Sequence, residues 1–306
     1  MPNESKAAGP PRNGISIERA AEVTARLGES PVWDVEDQAL WWVDITAGVI
    51  HRHDPLDTDT SWQVGEDVGC LALRQQGGLV LATRSGFHFF DPQTGTKTAI
   101  SDPEAEKPDS RFNDGTTDPR GRFWAGTMKD RGERAPVSSF WRLDADLSVS
   151  QGHTGVSTTN GLAFSPDGAT MYFADTSAAV QTIWQADYDL DTGEHAAPRP
   201  FFATDELAGR PDGGTVDADG CYWMAGVGGW QVVRITPRGA VDRIIEVPVE
   251  RPSKPMFGGS QLETLYVTSI SDGVTEGTEA QQPLAGALLA IEGHGAQGLG
   301  ETRFAG

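Results

Sequence analysis

The 306-residue chain carries 44 acidic against 24 basic residues, a formal net charge of −20 at pH 7. Such a balance excludes nucleic acid and anionic membrane surfaces as partners, because both select a basic footprint, and it suits a protein that handles neutral or cationic small molecules. Cys70 and Cys221, the only two cysteines, stand in no metal-ligand or redox spacing, so neither a disulfide framework nor a cysteine-based zinc site is expected and a reduced, cytoplasmic setting is the default.

In chain order, Met1 to Asn13 are polar and lack the apolar core of a secretory signal. They read as a disordered leader over residues 1–14, ahead of a single domain over 15–306. No apolar run reaches the roughly eighteen residues of a membrane span. From there one phrase keeps returning: a turn with Asp, Gly or Pro, an apolar run ending in an aromatic, a further strand, and another turn.

The phrase first appears as Ser30-Pro31-Val32-Trp33-Asp34 with Ala39–Asp44 and Val49–His53. It returns at Cys70–Leu73 with Leu79–Thr83 and Gly86–Phe90, and again at Gly115–Gly121 with Arg122–Thr127 and Ser139–Leu143. The fourth version is Gly161–Gly168 with Thr170–Asp175 and Thr182–Tyr188. Gly209-Arg210-Pro211-Asp212-Gly213-Gly214 opens the fifth, which runs through Tyr222–Ala225 to Trp230–Ile235. Gly258-Gly259, Leu265–Ser269 and Ala287–Ile291 make the sixth. A period of about 40 to 50 residues is that of propeller blades, and no stretch keeps a helical apolar period over three turns. The chain is therefore predicted to be all-β, a six-bladed β-propeller with a central channel. A closed propeller exposes few strand edges, so a monomer is the default.

In a propeller the innermost strands line the axis, and residues far apart in sequence meet at one end of it. Glu29, Arg111 with Asn113, Asn160 and Asp212 each precede the apolar strand of their own repeat. Any of them alone is ordinary turn chemistry. Equivalent placement in successive repeats is what points them to a common spot. Asp212, between Pro211 and two glycines, is expected on a tight turn at the mouth of its strand. Two carboxylates with one or two amide oxygens form a hard, all-oxygen site suited to Ca²⁺, Mg²⁺, Mn²⁺, Fe²⁺ or Zn²⁺, with coordination positions left for water and substrate.

Leu27–Asp34, Arg111–Gly115 with Gly121-Arg122 and Ala125–Met128, Asn160-Gly161, Pro211-Asp212-Gly213 and Phe257-Gly258-Gly259 together resemble the SMP-30/gluconolactonase/luciferin-regenerating family. The resemblance implies that Glu29, Asn160 and Asp212 bind one divalent metal, with Ca²⁺ foremost, and that Asp212 is also general base on a metal-bound water. It implies that Arg111 and Asn113 hold the hydroxyls or carbonyl of a sugar lactone, which opens to an aldonic acid. An esterase or organophosphate hydrolase on the same site, or a calcium- or ligand-binding propeller without turnover, are the alternatives. One departure stands out: regucalcin-like members carry an acidic pair where this chain reads Lys129-Asp130-Arg131, with Arg131 at the second acidic position. The six histidines lie outside these motifs; His51 and His53 share a strand face, read as solvated. The nine tryptophans are expected in packing.

Overall fold

Asp-containing turns and apolar strands fold each repeat into a small antiparallel sheet, and six such sheets close around an axis as a β-propeller. The structure is a computed structural model describing residues 14–306, so the expected leader lies, Gly14 excepted, outside the described residues. The innermost strands are Gly28–Asp34, Val68–Leu73, Ser110–Thr117, Thr159–Phe164, Arg210–Val216 and Pro252–Gly258. Each packs against the next around the ring, and the sixth against the first. They are buried along most of their length instead of alternating, because one face meets the channel and the other the neighbouring blade. No helix among the described residues is long and apolar enough to cross a membrane.

The repeated aspartate has a structural task at the end of the channel away from the candidate site. Asp118 Oδ1 accepts hydrogen bonds from the amides of Arg120 and Arg122, both at 2.9 Å. Asp217 Oδ1 does the same for Asp219 at 3.0 Å and Cys221 at 2.9 Å. The second oxygen of Asp217 takes Trp223 Nε1 and Arg234 Nε, both at 2.8 Å. Asp118 Oδ2 likewise takes the Tyr188 hydroxyl at 2.6 Å, so each carboxylate ties its turn to a buried aromatic. Trp223 meets Phe257 of the sixth blade edge-on at 5.6 Å, and Trp33 of the first stacks on Tyr266 of the sixth at 5.6 Å. Burial of such rings is the largest apolar contribution a residue can make.

Two parts of the architecture were not in the sequence reading. The outermost strand of the sixth blade is Ser16–Arg19, which pairs antiparallel with Leu289–Glu292 and closes the ring. After Glu292 the chain crosses the end of the channel opposite the candidate site. Gly298 donates to Leu262, Phe304 to Leu73 and Ala305 to Gly121, while Arg303 reaches Asp34 at 2.7 Å. A cavity of about 280 Å³ lies beneath this tail, bordered by Thr116, Gly214, Lys254 and Glu301.

His51 and His53 correct the expectation of a solvated face. Both are buried, at 8% and 7% exposure, because their strand is covered by neighbouring rings. His51 stacks on Trp42 and bonds Ser61 at 2.8 Å; His53 meets Tyr266 edge-on and bonds Asp59 at 2.7 Å.

Candidate active site at the channel mouth

Every innermost strand breaks register with its neighbour near the mouth: at Glu29/Val32, Val68/Cys70, Phe112/Gly115, Asn160/Ala163, Pro211/Gly214 and Pro252/Lys254. A β-bulge re-aims the side chains beside it, and those beside these bulges are the candidates. Asp212 therefore lies within a bulged strand and not on the free turn expected. Ser30, after Glu29, has φ 49°, and Gly161, after Asn160, has φ 61°. A Cβ on Gly161 would fall on the Tyr222 hydroxyl, so the close approach as well as the left-handed backbone requires glycine there.

Glu29, Arg111, Asn113, Asn160 and Asp212 are all buried, between 2% and 7% exposed. A hydrogen-bonded line links several of them. Asn113 Nδ2 donates to Asn160 Oδ1 at 3.0 Å and to the Thr159 carbonyl at 2.8 Å. Arg111 Nη1 donates to Asn113 Oδ1 at 2.9 Å, and Asn160 Nδ2 donates to Thr176 Oγ1 at 2.7 Å. The amide orientations are thereby set, with Asn160 Oδ1 presented as an acceptor. Asp130, the remaining acid of the departing pair, takes Arg111 Nε at 3.3 Å and also binds Arg84.

The carboxylates crowd one another. Burial, with the charge of Asp114 next, pushes the Asp212 carboxyl up to about 7, against the opposing pull of Arg251, Arg210 and Lys254. Glu29 is raised well above the carboxylate range by burial first and then by Asp212 and Asp114. Glu29 thus feels the charge of Asp212, and both feel that of Asp114, so these acids oppose one another's ionisation.

Sequence reasoning missed the pair behind them. Lys254 Nζ lies 2.6 Å from Asp114 Oδ1 and 3.0 Å from the Gly115 carbonyl, and Asp114 Oδ2 accepts from the Leu162 amide at 3.0 Å. Lys254 and Asp114 are 2% and 1% exposed. Asp114 was visible beside Asn113 but Lys254, in a strand without a motif, gave no signal. The pair joins the bulged strands of the third, fourth and sixth blades directly under the candidate site.

These residues fit a divalent cation: two buried carboxylates raised by burial and by neighbouring acids, and an amide oxygen held by its hydrogen bonds, form a site that a positive charge relieves. Among the described residues no group of three or more His, Cys, Asp or Glu side chains is placed to hold a metal. The candidate set does not require one, since its third member is an asparagine.

The fold and motifs match known proteins. A family model described as SMP-30/Gluconolactonase/LRE-like region matches residues 27–271. The 6-deoxy-6-sulfogluconolactonase of Pseudomonas putida is 41% identical over 283 residues, 92% of this chain and 95% of that protein. Regucalcin of Xenopus laevis is 36% identical over 301 residues, 96% of this chain and 100% of that one. A solved structure titled as a calcium-binding protein, regucalcin, from Agrobacterium tumefaciens superposes with a TM-score of 0.87 at 28% identity, covering 94% of this chain and 96% of that chain. The chain belongs to the SMP-30/gluconolactonase/LRE-like family.

Proposed function

We propose that the chain is a metal-dependent lactonase that opens sugar lactones to aldonic acids at the channel mouth. The observation that supports this reading is the burial of Glu29, Asn160 and Asp212 beside the bulges of three innermost strands, with both carboxyls raised by burial and by neighbouring acids. Two relatives add weight, the Pseudomonas putida protein being named as a lactonase and the Agrobacterium tumefaciens regucalcin as a calcium-binding protein.

Glu29, Asn160 and Asp212 would hold the ion, with Ca²⁺ favoured. When bound, such an ion polarises an ester carbonyl and lowers the pKa of water. Asp212 takes the proton of the attacking water, and the proton passes to the ring oxygen as the acyl–oxygen bond breaks. Arg111 and Asn113 orient the sugar, each held by the hydrogen bonds described above, so little ordering remains to be done on binding.

The test is acid release from a panel of aldonolactones by metal-stripped protein, with and without Ca²⁺, Mg²⁺, Mn²⁺, Zn²⁺ and Fe²⁺. Metal-dependent turnover is expected, and Asp212→Asn should lower kcat by about 10²-fold or more. Silence across the panel with calorimetrically confirmed metal binding would overturn the reading in favour of other esters or a binding protein.

A further inference from the structure

The chain has carboxylates in excess, yet several cations at the channel mouth pair with none of them. Among the described residues Lys129, Arg131, Arg134, Arg210 and Arg251 form no ion pair, and all stand on loops or strand ends at the mouth; Arg74 and Arg238, the other cations in that state, lie at the far end. In a chain of net charge −20, chance pairing would favour the opposite. Arg251 and Arg210 act on the Asp212 carboxyl, opposing its burial. Arg134 acts on Arg111, whose guanidinium is lowered by burial first, with Asp130 and Asp67 opposing.

The densest part of this field is the rim of the third blade. Arg134 Nη1 is fastened to the Lys129 carbonyl at 2.6 Å, which folds back the loop that carries Lys129, Arg131 and Arg134 along with Asp130 and Glu133. Next to it Arg84 holds Asp67 at 2.6 Å and also Asp130 through Nη2, while its Nη1 is buried with no partner. Arg111 joins this rim to the axis through Asn113 and Asn160. The three cations of the loop outnumber its two acids, of which Asp130 is already engaged by Arg84 and Arg111, and an oxyanion relieves the remaining positive excess.

We propose that the substrate carries an oxyanion, a sulfonate or a phosphate, on the end remote from its lactone, seated by Arg131, Arg134 and Lys129 beside Arg84. The proposal rests on the lactonase reading above and narrows the substrate class within it. It also reverses, at the mouth, the preference for neutral or cationic ligands that the overall charge suggests. Repulsion of an anion by the acidic body is then overcome locally, where the mouth focuses the field.

The experiment compares gluconolactone with its 6-deoxy-6-sulfo and 6-phospho counterparts on Ca²⁺-loaded protein at low and high salt. The expected result is a kcat/KM at least about tenfold higher on a charged lactone, carried by KM and falling with salt. Whichever of the two is favoured distinguishes sulfonate from phosphate. In Arg131→Gln/Arg134→Gln the charged-to-neutral ratio should collapse, whereas Arg238→Gln at the far end should leave it unchanged. Equal or better turnover of the neutral lactone by the wild type would overturn the proposal and leave the lactonase reading standing. Silence on all three would instead remove that reading. Calorimetry with 6-phosphogluconate against gluconate then decides the anion seat by itself: preference for the phosphorylated acid upholds it, and equal affinity overturns it.

Discussion

Asp212 shows what a single residue at this site endures. Its carboxyl is pushed up to about 7 by burial and by Asp114, so between the unfolded value of about 3.9 and that point the native state binds more protons than the unfolded one. Stability contributed through this group therefore falls as pH rises across the window. Metal-stripped protein should lose melting temperature between about pH 4 and pH 7, by less in Asp212→Asn, and added Ca²⁺ should restore the wild type. Equal pH slopes in the two proteins, measured by scanning calorimetry, would refute this. The placement of the residues named from sequence at the channel mouth was legible because each stood at the same point of a repeat, which needs no coordinates. Lys254 was illegible because a lysine in a strand looks like an edge or surface residue until the axis is built around it.

At the scale of elements, the Lys254–Asp114 pair fastens three innermost strands where all of them bulge. Removing one partner of a buried pair leaves an uncompensated charge, a loss of about 3–5 kcal/mol. Urea titration of Lys254→Met should show a loss of that order. Adding Asp114→Asn, which keeps an acceptor for the Leu162 amide and removes the charge, should recover part of it; a double variant no better than the single one would count against the pair as the cause. Strands and turns of the six phrases could be read from alternation of apolar runs with Asp and Gly. The bulges could not, since Glu29-Ser30 and Asp212-Gly213 carry no local sign of where a neighbouring strand slips register. Nor could Pro252–Gly258, where two prolines disguise an innermost strand.

Over the whole molecule the tail beyond Glu292 spans one end of the ring, and its Phe304 is fully buried among Phe112, Phe123 and Leu143. Phe304→Ala should destabilise the protein by about 3–5 kcal/mol through the cavity it leaves, read as a lower denaturant midpoint; a change within 1 kcal/mol would show the tail to be a loose covering. This segment escaped the sequence reading because it holds no strand phrase and its anchors are spread over blades it does not belong to. The repeat count, in contrast, was plain from the period alone.

The strand Ser16–Arg19, laid against Leu289–Glu292, sets an order of events during synthesis. It leaves the ribosome early, while its partner is made nearly the full sequence later. At roughly 5–20 residues per second the delay is on the order of tens of seconds, during which blades emerge with their ring open and edges free to join other chains. Translation speed and chaperone cover, more than the depth of the final energy well, would then govern how much of the protein is recovered from a cell.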